Sequence, residues 1–194
     1  MSRTISLVLL LSLPAAARAA TITVDVRDAR GAGVADAVVY AVPEGRELPL
    51  GKKTAIMDQK NRTFVPHILP IQTGTSVRFP NSDDIRHQVY SFSPAKVFQL
   101  PLYEGTPANP VVFDRAGVVT LGCNIHDRMS AYIVIVDTPY FATTTKKGRA
   151  QLPQIGAGKY ALRVWYPEMA NEPAPVPLML GASENKGLVV TIRK

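Results

Sequence analysis

An all-β architecture follows from three observations on the sequence. No sustained apolar pattern at i, i+3, i+4, i+7 runs through the chain, so helix signals are scarce. The 16 Pro and 13 Gly interrupt it throughout. Short β-branched runs bounded by turn residues recur instead, several with apolar–polar alternation. Many short strands separated by turn signals specify a sandwich or barrel.

Taken in order, Thr21–Arg27 and Ala37–Val42 are the first expected strands, with Gly31 in the turn between them. Residues 43–53 (PEGRELPLGKK) are polar and rich in Pro and Gly, the composition of a linker or long loop. Thr75–Phe79 follows Gly74, Val118–Leu121 follows Gly117, and Ala131–Val136 is a strongly apolar run ended by Asp137-Thr-Pro. Lys159–Trp165 follows Gly158. The stretch Asn171–Pro177 carries three Pro and reads as a loop or extended edge before the last strand, Leu188–Ile192. No repeat of solenoid period is present.

The chain has 194 residues, 46% hydrophobic and 19% charged, a balance that can bury a core in one ordinary domain or two small ones. The charges are scattered, with no basic run interleaved with aromatics, which argues against nucleic acid as a partner. Arg3, the apolar stretch Ile5–Leu13 and Ala17-Arg-Ala form the n-region, h-region and cleavage signal of an export peptide over residues 1–19. The apolar stretch is shorter than the ~20 residues a membrane-spanning helix needs. A periplasmic or otherwise secreted protein is therefore expected, without stable membrane insertion of the mature chain. No Cys follows the segment, which argues against a lipid anchor there. Loss of Arg3 and Arg18 leaves a net charge of about +5, favouring encounter with acidic partners.

The chain has a single Cys. In an oxidising compartment a lone thiol pairs with another chain, stays free or binds metal, and metal ligation best explains its retention. Its setting is Leu121-Gly-Cys-Asn-Ile-His-Asp-Arg-Met-Ser-Ala-Tyr, where Cys123, His126 and Met129 fall three residues apart between two expected strands. A tight loop between strands can aim all three at one point. A thiolate, two imidazoles and a weak thioether make a soft, roughly trigonal donor set with a distant axial ligand, suited to copper in both oxidation states. The second imidazole must come from His67 or His87. His87 follows the turn-rich Phe79-Pro-Asn-Ser-Asp-Asp segment and is taken as the ligand. His67, between Pro66 and Pro70, is taken as a surface or packing residue. The expected ligands are thus His87, Cys123, His126 and Met129.

These residues resemble the cupredoxins, the type 1 blue copper proteins. The resemblance covers residues 54–137: Phe64-Val-Pro, Thr73-Gly-Thr-Ser-Val-Arg-Phe, Asn81, Asp83, His87 and the Cys-x2-His-x2-Met loop. That short loop is similar to the amicyanin group of the family. The wider pattern, with Met129-Ser-Ala-Tyr-Ile and Tyr140-Phe-Ala, is similar to secreted proteins labelled methylamine utilisation proteins. The resemblance implies a Greek-key sandwich, one mononuclear type 1 copper ion and electron transfer through the His126 edge. Two positions depart from the family pattern. Gln88 stands where many members have the Asn that ties the two ligand loops, and Asn124 and Asp127 replace prolines of the amicyanin-type loop. Asp127 either lowers the potential or faces water.

Other chemistries are disfavoured by count. Structural zinc usually takes four Cys or His ligands, a dinuclear copper site needs two thiolates, and a multicopper oxidase needs several His-x-His pairs; the chain has one Cys and three His. Hydrolase, zinc-protease and phosphate-loop motifs are missing. Asp83-Asp84 reads as a solvated turn, since adjacent residues on extended chain point oppositely.

Residues 21–42 and 144–165 resemble pieces of the carboxypeptidase regulatory-like β-sandwich. The expected division is a signal peptide (1–19), an N-terminal β segment (20–50), a copper domain (51–137) and a C-terminal β segment (138–194). The two terminal segments then pack together as a second small sandwich or simply add edge strands to the first. Trp165 and Tyr166 are expected as core or edge aromatics. The function expected is a one-electron carrier rather than a catalyst, meeting redox proteins transiently. Copper delivery without redox turnover, or an interaction module with structural copper, are the rivals.

Overall fold

The computed structural model describes residues 20–107, 109–126, 128–169 and 171–193. The expected signal segment and Asp127 lie outside the described residues. No helix occurs among the described residues. The strands run from β1 (Ala20–Arg27) and β2 (Val38–Pro43) through β3 (Thr54–Ile56), β4 (Asp58–Lys60) and β5 (Thr63–Val65). Next come β6 (Ile68–Gln72), β7 (Thr75–Arg78), β8 (His87–Ser93), β9 (Lys96–Tyr103) and β10 (Val111–Phe113). Then follow β11 (Gly117–Gly122), β12 (Ser130–Val136), β13 (Phe141–Thr143) and β14 (Arg149–Ile155). β15 (Gly158–Trp165), β16 (Val176–Leu180) and β17 (Asn185–Thr191) complete the order.

One core is built by the two ends of the chain. The strict alternation of ATITVDVR turns Ala20, Ile22, Val24 and Val26 inward, all with 0% exposure. β1 lies between β14, antiparallel, and β17, parallel. A sheet of order β13-β2-β15-β16 supplies Val39, Ala41, Tyr160, Leu162, Val164, Leu178 and Leu180 to the same buried cluster. Two turns there touch so closely that only glycine fits. A Cβ on Gly33 would lie 2.2 Å from the Lys147 carbonyl oxygen, and one on Gly148, at φ +79°, 2.4 Å from that of Val26.

Asp25 and Arg149 face each other across β1 and β14, with Arg149 Nε 2.8 Å and Nη2 3.0 Å from the two carboxylate oxygens. The guanidinium holds the Asp25 carboxyl below its usual value of 3.8. A depressed carboxyl pKa stabilises the fold above the unfolded value and loses that contribution as pH falls through the folded one. Asp25→Asn is therefore expected to lower the melting temperature slightly at neutral pH and to erase the difference in acid. Thermal unfolding at several pH values checks this; a deficit that stays constant as pH falls from neutral to well below the unfolded value of 3.8 would contradict the assignment.

The middle of the chain builds a second core between a five-stranded sheet, β6-β12-β11-β8-β9, and a three-stranded one, β10-β7-β3. Val89, Val119, Leu121, Ala131, Ile133 and Ile135 come from the larger sheet, Val77 and Phe113 from the smaller. The apolar run of β12 has a plain cause, because this strand is covered on both faces. Ala131, Ile133 and Ile135 point into this core, whereas Val134 and Val136 join Val38 and Ile68 in a third cluster. Tyr40, Tyr132, Phe141 and Trp165 pack against that third cluster, with the Tyr132 and Trp165 rings 5.4 Å apart. Trp165 is thus a packing aromatic between the end-built sheet and the five-stranded one.

The β8–β9 hairpin has no counterpart among the expected strands. Pro94 and Pro101 obscure it, and Pro101 is tolerated because β9 is the edge of its sheet.

Candidate metal centre

β11 and β12 are antiparallel neighbours, and their last pair, Gly122 with Ser130, leaves residues 123–129 as the connecting loop. Cys123 is its first residue and Met129 its last, so both are fixed by strand ends. The Met129 backbone N–H donates to the His126 carbonyl at 2.9 Å, which tightens the loop into a turn. On the other side of β11, β8 runs antiparallel with Tyr90 opposite Gly122. Three residues back from Tyr90 on β8 is His87, and three residues on from Gly122 is Ile125, next to His126. Register alone therefore carries His87 to the loop.

The ligand atoms of His87, Cys123 and His126 all lie within 4.8 Å of one another. Cys123 Sγ is 4.0 Å from His87 Nδ1, and the two imidazole centroids are 5.0 Å apart. His87 has 0% exposure and Cys123 4%, while His126 is half-buried. Met129, 2% exposed, belongs to the same core cluster as Cys123. His67 is not among these donors; it is exposed and packs edge-on against Tyr132, with centroids 5.6 Å apart.

One atom bears on whether the cluster suits a metal ion. His126 Nδ1 is buried and makes no hydrogen bond. A buried polar atom without a partner costs about 1–3 kcal/mol, and a metal ion held at that nitrogen would remove the cost. The donors match copper well, since one thiolate and two imidazoles satisfy both its oxidation states. Zinc in a closed structural site would want a fourth Cys or His, and the group contains three donors of these types.

Asp83 is the residue that the solvated-turn reading misjudged. Asp84 is exposed, but Asp83 is not: its side chain retains 12% exposure, and its Oδ2 lies 2.8 Å from His87 Nε2. Its oxygens also accept from the backbone N–H groups of Asn61, at 2.6 Å, and Arg62, at 2.9 Å. Burial pushes the carboxyl up, but the hydrogen bonds from Arg62, His87 and Asn61 outweigh it and hold the group below the usual carboxylate range. His87 is thus tied by a hydrogen bond to Asp83 within its own segment. Asn81 secures this segment, its side-chain amide donating to the Ile85 and Tyr103 carbonyls at 2.8 and 3.1 Å.

Tyr103 pairs with His87 across β8 and β9. Its hydroxyl donates to the Phe79 carbonyl at 2.8 Å and accepts from the buried Gln59 amide. Burial, chiefly, raises its pKa to about 12, so it stays neutral. An open groove of about 520 Å³ runs beside the cluster, lined by Tyr90, Phe92, Thr120, Cys123, Asn124 and Met129 among others.

Fold and cluster together define a class: an all-β protein whose His87, Cys123 and His126 can hold one copper ion. No protein-family model and no curated protein sequence matches the chain. Among solved structures, it is similar to a purple cupredoxin from Nitrosopumilus maritimus at 22% identity, over 42% of this chain and 99% of that one, with a TM-score of 0.38. An amicyanin variant with Cu(I) is similar at 17% identity, over 43% of this chain and 82% of that one, with a TM-score of 0.39. A copper-containing nitrite reductase from Thermus scotoductus is similar at 21% identity and a TM-score of 0.41, over 50% of this chain and 25% of that one. No helix among the described residues is long and apolar enough to cross a membrane.

Proposed function

We propose that this chain is an exported blue copper protein that carries single electrons between redox proteins and is not itself an enzyme. The observation that carries the reading is the His87–Cys123–His126 cluster, two of its members buried and the third half-buried, with its unpartnered imidazole nitrogen. In this reading Cys123 provides the thiolate, His87 and His126 the equatorial nitrogens and Met129 the weak axial thioether. Bound copper supplies a one-electron couple between Cu(I) and Cu(II).

The chain's part is to keep the donors where they are during that change. Cys123 and Met129 are anchored at the ends of paired strands, and His87 opens a third strand of the same sheet. Such donors move little, and little movement means a small barrier to electron transfer. Copper-delivery sites, by contrast, present Met and His on exposed, adaptable segments; here His87, Cys123 and Met129 are all at most 4% exposed. Electrons leave through the edge of His126, next to Ile125, which is 52% exposed and offers an apolar contact to transient partners. The basic balance of the chain, 22 Lys and Arg against 15 Asp and Glu, favours acidic partners.

The test is to titrate the purified mature protein with Cu(II) and record the visible spectrum. One equivalent is expected to produce an intense thiolate-to-copper band that bleaches on reduction and returns on oxidation. A colourless protein that binds Cu(I) tightly would favour delivery, and no copper binding would overturn the reading.

A further inference from the structure

We infer that Asp83 is the positioning residue of this centre: it holds His87 with Nε2–H donated to its carboxylate and Nδ1 turned towards Cys123, and it places a negative charge against the ring. The first half concerns the protein without metal. The second rests on the copper reading above.

One neutral tautomer of His87 satisfies both of its neighbours. Nε2 lies 2.8 Å from Asp83 Oδ2, an acceptor that needs a proton on that nitrogen. Nδ1 lies 4.0 Å from Sγ and, in the neutral ring, then carries the lone pair that a metal needs. The ring is wholly buried, so bulk water does not reach either nitrogen. A ligand imidazole bonded in this way to a carboxylate is fixed in tautomer and orientation and becomes more basic.

The carboxylate is itself built in. Asn61 and Arg62 sit between β4 and β5 with φ of 55° and 57°, a left-handed conformation that few non-glycine residues adopt. Two such residues in succession are what the two-residue turn of a hairpin uses, here joining Lys60 to Thr63 of the paired β4 and β5. Their N–H groups are the ones that grip Asp83, Asn61 on Oδ1 and Arg62 on Oδ2. The Asp83 N–H in turn donates to the Asn81 side-chain oxygen at 3.1 Å. The hairpin turn, the buried Asn81 and the carboxylate form one support whose free end meets His87.

A more basic His87 favours Cu(II) over Cu(I), so the charge lowers the reduction potential. Three variants of the full mature chain separate orientation, charge and simple electrostatics. Asp83→Ala removes acceptor and charge, Asp83→Asn keeps an oxygen acceptor without the charge, and Asp84→Asn removes one charge from the exposed neighbour. The first readout is the 15N NMR shifts of the His87 ring nitrogens without metal, tractable with only three His in the chain. The second is the reduction potential with copper.

Asp83→Ala is expected to give mixed His87 tautomers and to cut the preference for Cu(II) over Cu(I) by about tenfold or more. A tenfold change is ~59 mV upward for one electron. Asp83→Asn is expected to keep the wild-type tautomer and raise the potential, and Asp84→Asn to change neither. Wild-type ring shifts in Asp83→Ala would overturn the orienting role. A potential in Asp84→Asn raised as far as in Asp83→Asn would overturn the specific charge. Failure of the wild type to bind copper would overturn the copper reading instead, and the metal-free shifts would still decide the orientation.

Discussion

Cys123→Ser is expected to abolish the visible band of the copper-loaded protein and to weaken copper binding by more than ~100-fold. Loss of a residue that merely supports a ligand costs about 10- to 100-fold in metal affinity, so loss of the thiolate exceeds that range. The thiolate is the soft donor that makes the set suitable for Cu(I) as well as Cu(II). A serine hydroxyl is hard and stays protonated at neutral pH, and the chain has no second Cys to replace it. The two side chains are close in size, so the β11–β12 loop survives. The cost to the metal-free fold is about 1–3 kcal/mol, because the hydroxyl is buried at a position only 4% exposed. Competition titrations and the spectrum measure the first effect, chemical denaturation the second. Persistence of the intense band in the serine variant would rule out Cys123 as its source.

Phe113→Ala is expected to destabilise the protein by about 3–5 kcal/mol. The ring has 0% exposure and stands between the two sheets of the metal-centre core, 6.5 Å from Phe79 and 5.9 Å edge-to-face from Phe98 by centroid. Its removal leaves a cavity that the paired strands β10 and β7 cannot close by moving together. Whole domains are stable by only about 5–15 kcal/mol, so this single change takes a large share. Phe92→Ala is the matched control: that ring is 78% exposed, and a change within about 0.5 kcal/mol is expected. Equal losses for the two variants in urea unfolding would contradict the placement of Phe113 in the core.

The fold was legible wherever burial imposes a regular pattern. β1 alternates along its whole length, and β12, buried on both faces, is apolar on both. Gly31 and Gly74 stand in turns at φ of 83° and 91°, conformations that other residues rarely take. Strands at edges were harder to read. β9 and β16 are edge strands carrying Pro101 and Pro177, which break the pattern without breaking the sheet. The site was legible in the same uneven way. Cys123, His126 and Met129 share one loop, so their spacing is visible in the sequence. Asp83 was misread because the Asp83-Asp84 pair was taken as a turn facing water, with nothing local to show that one of the two is covered. The turn at Asn61-Arg62 that buries one of the pair lies more than twenty residues away, at |i−j| of 22 and 21.

Composition, alternation and loop spacing are local properties, and they suffice for an all-β chain with a sulfur- and nitrogen-donor loop. The approach of His87 to Cys123, separated by 36 residues, is a matter of strand register between β8 and β11. The exclusion of His67 follows from its outward-facing position against Tyr132. The pairing of Asp83 with His87 spans only four residues, yet it depends on the distant turn that replaces water around the carboxylate. Each of these needs parts of the chain to be brought together against the entropy of the loops between them. Only the packed sheets supply that, and so the donor loop can be read from the sequence while the complete centre exists only in the fold.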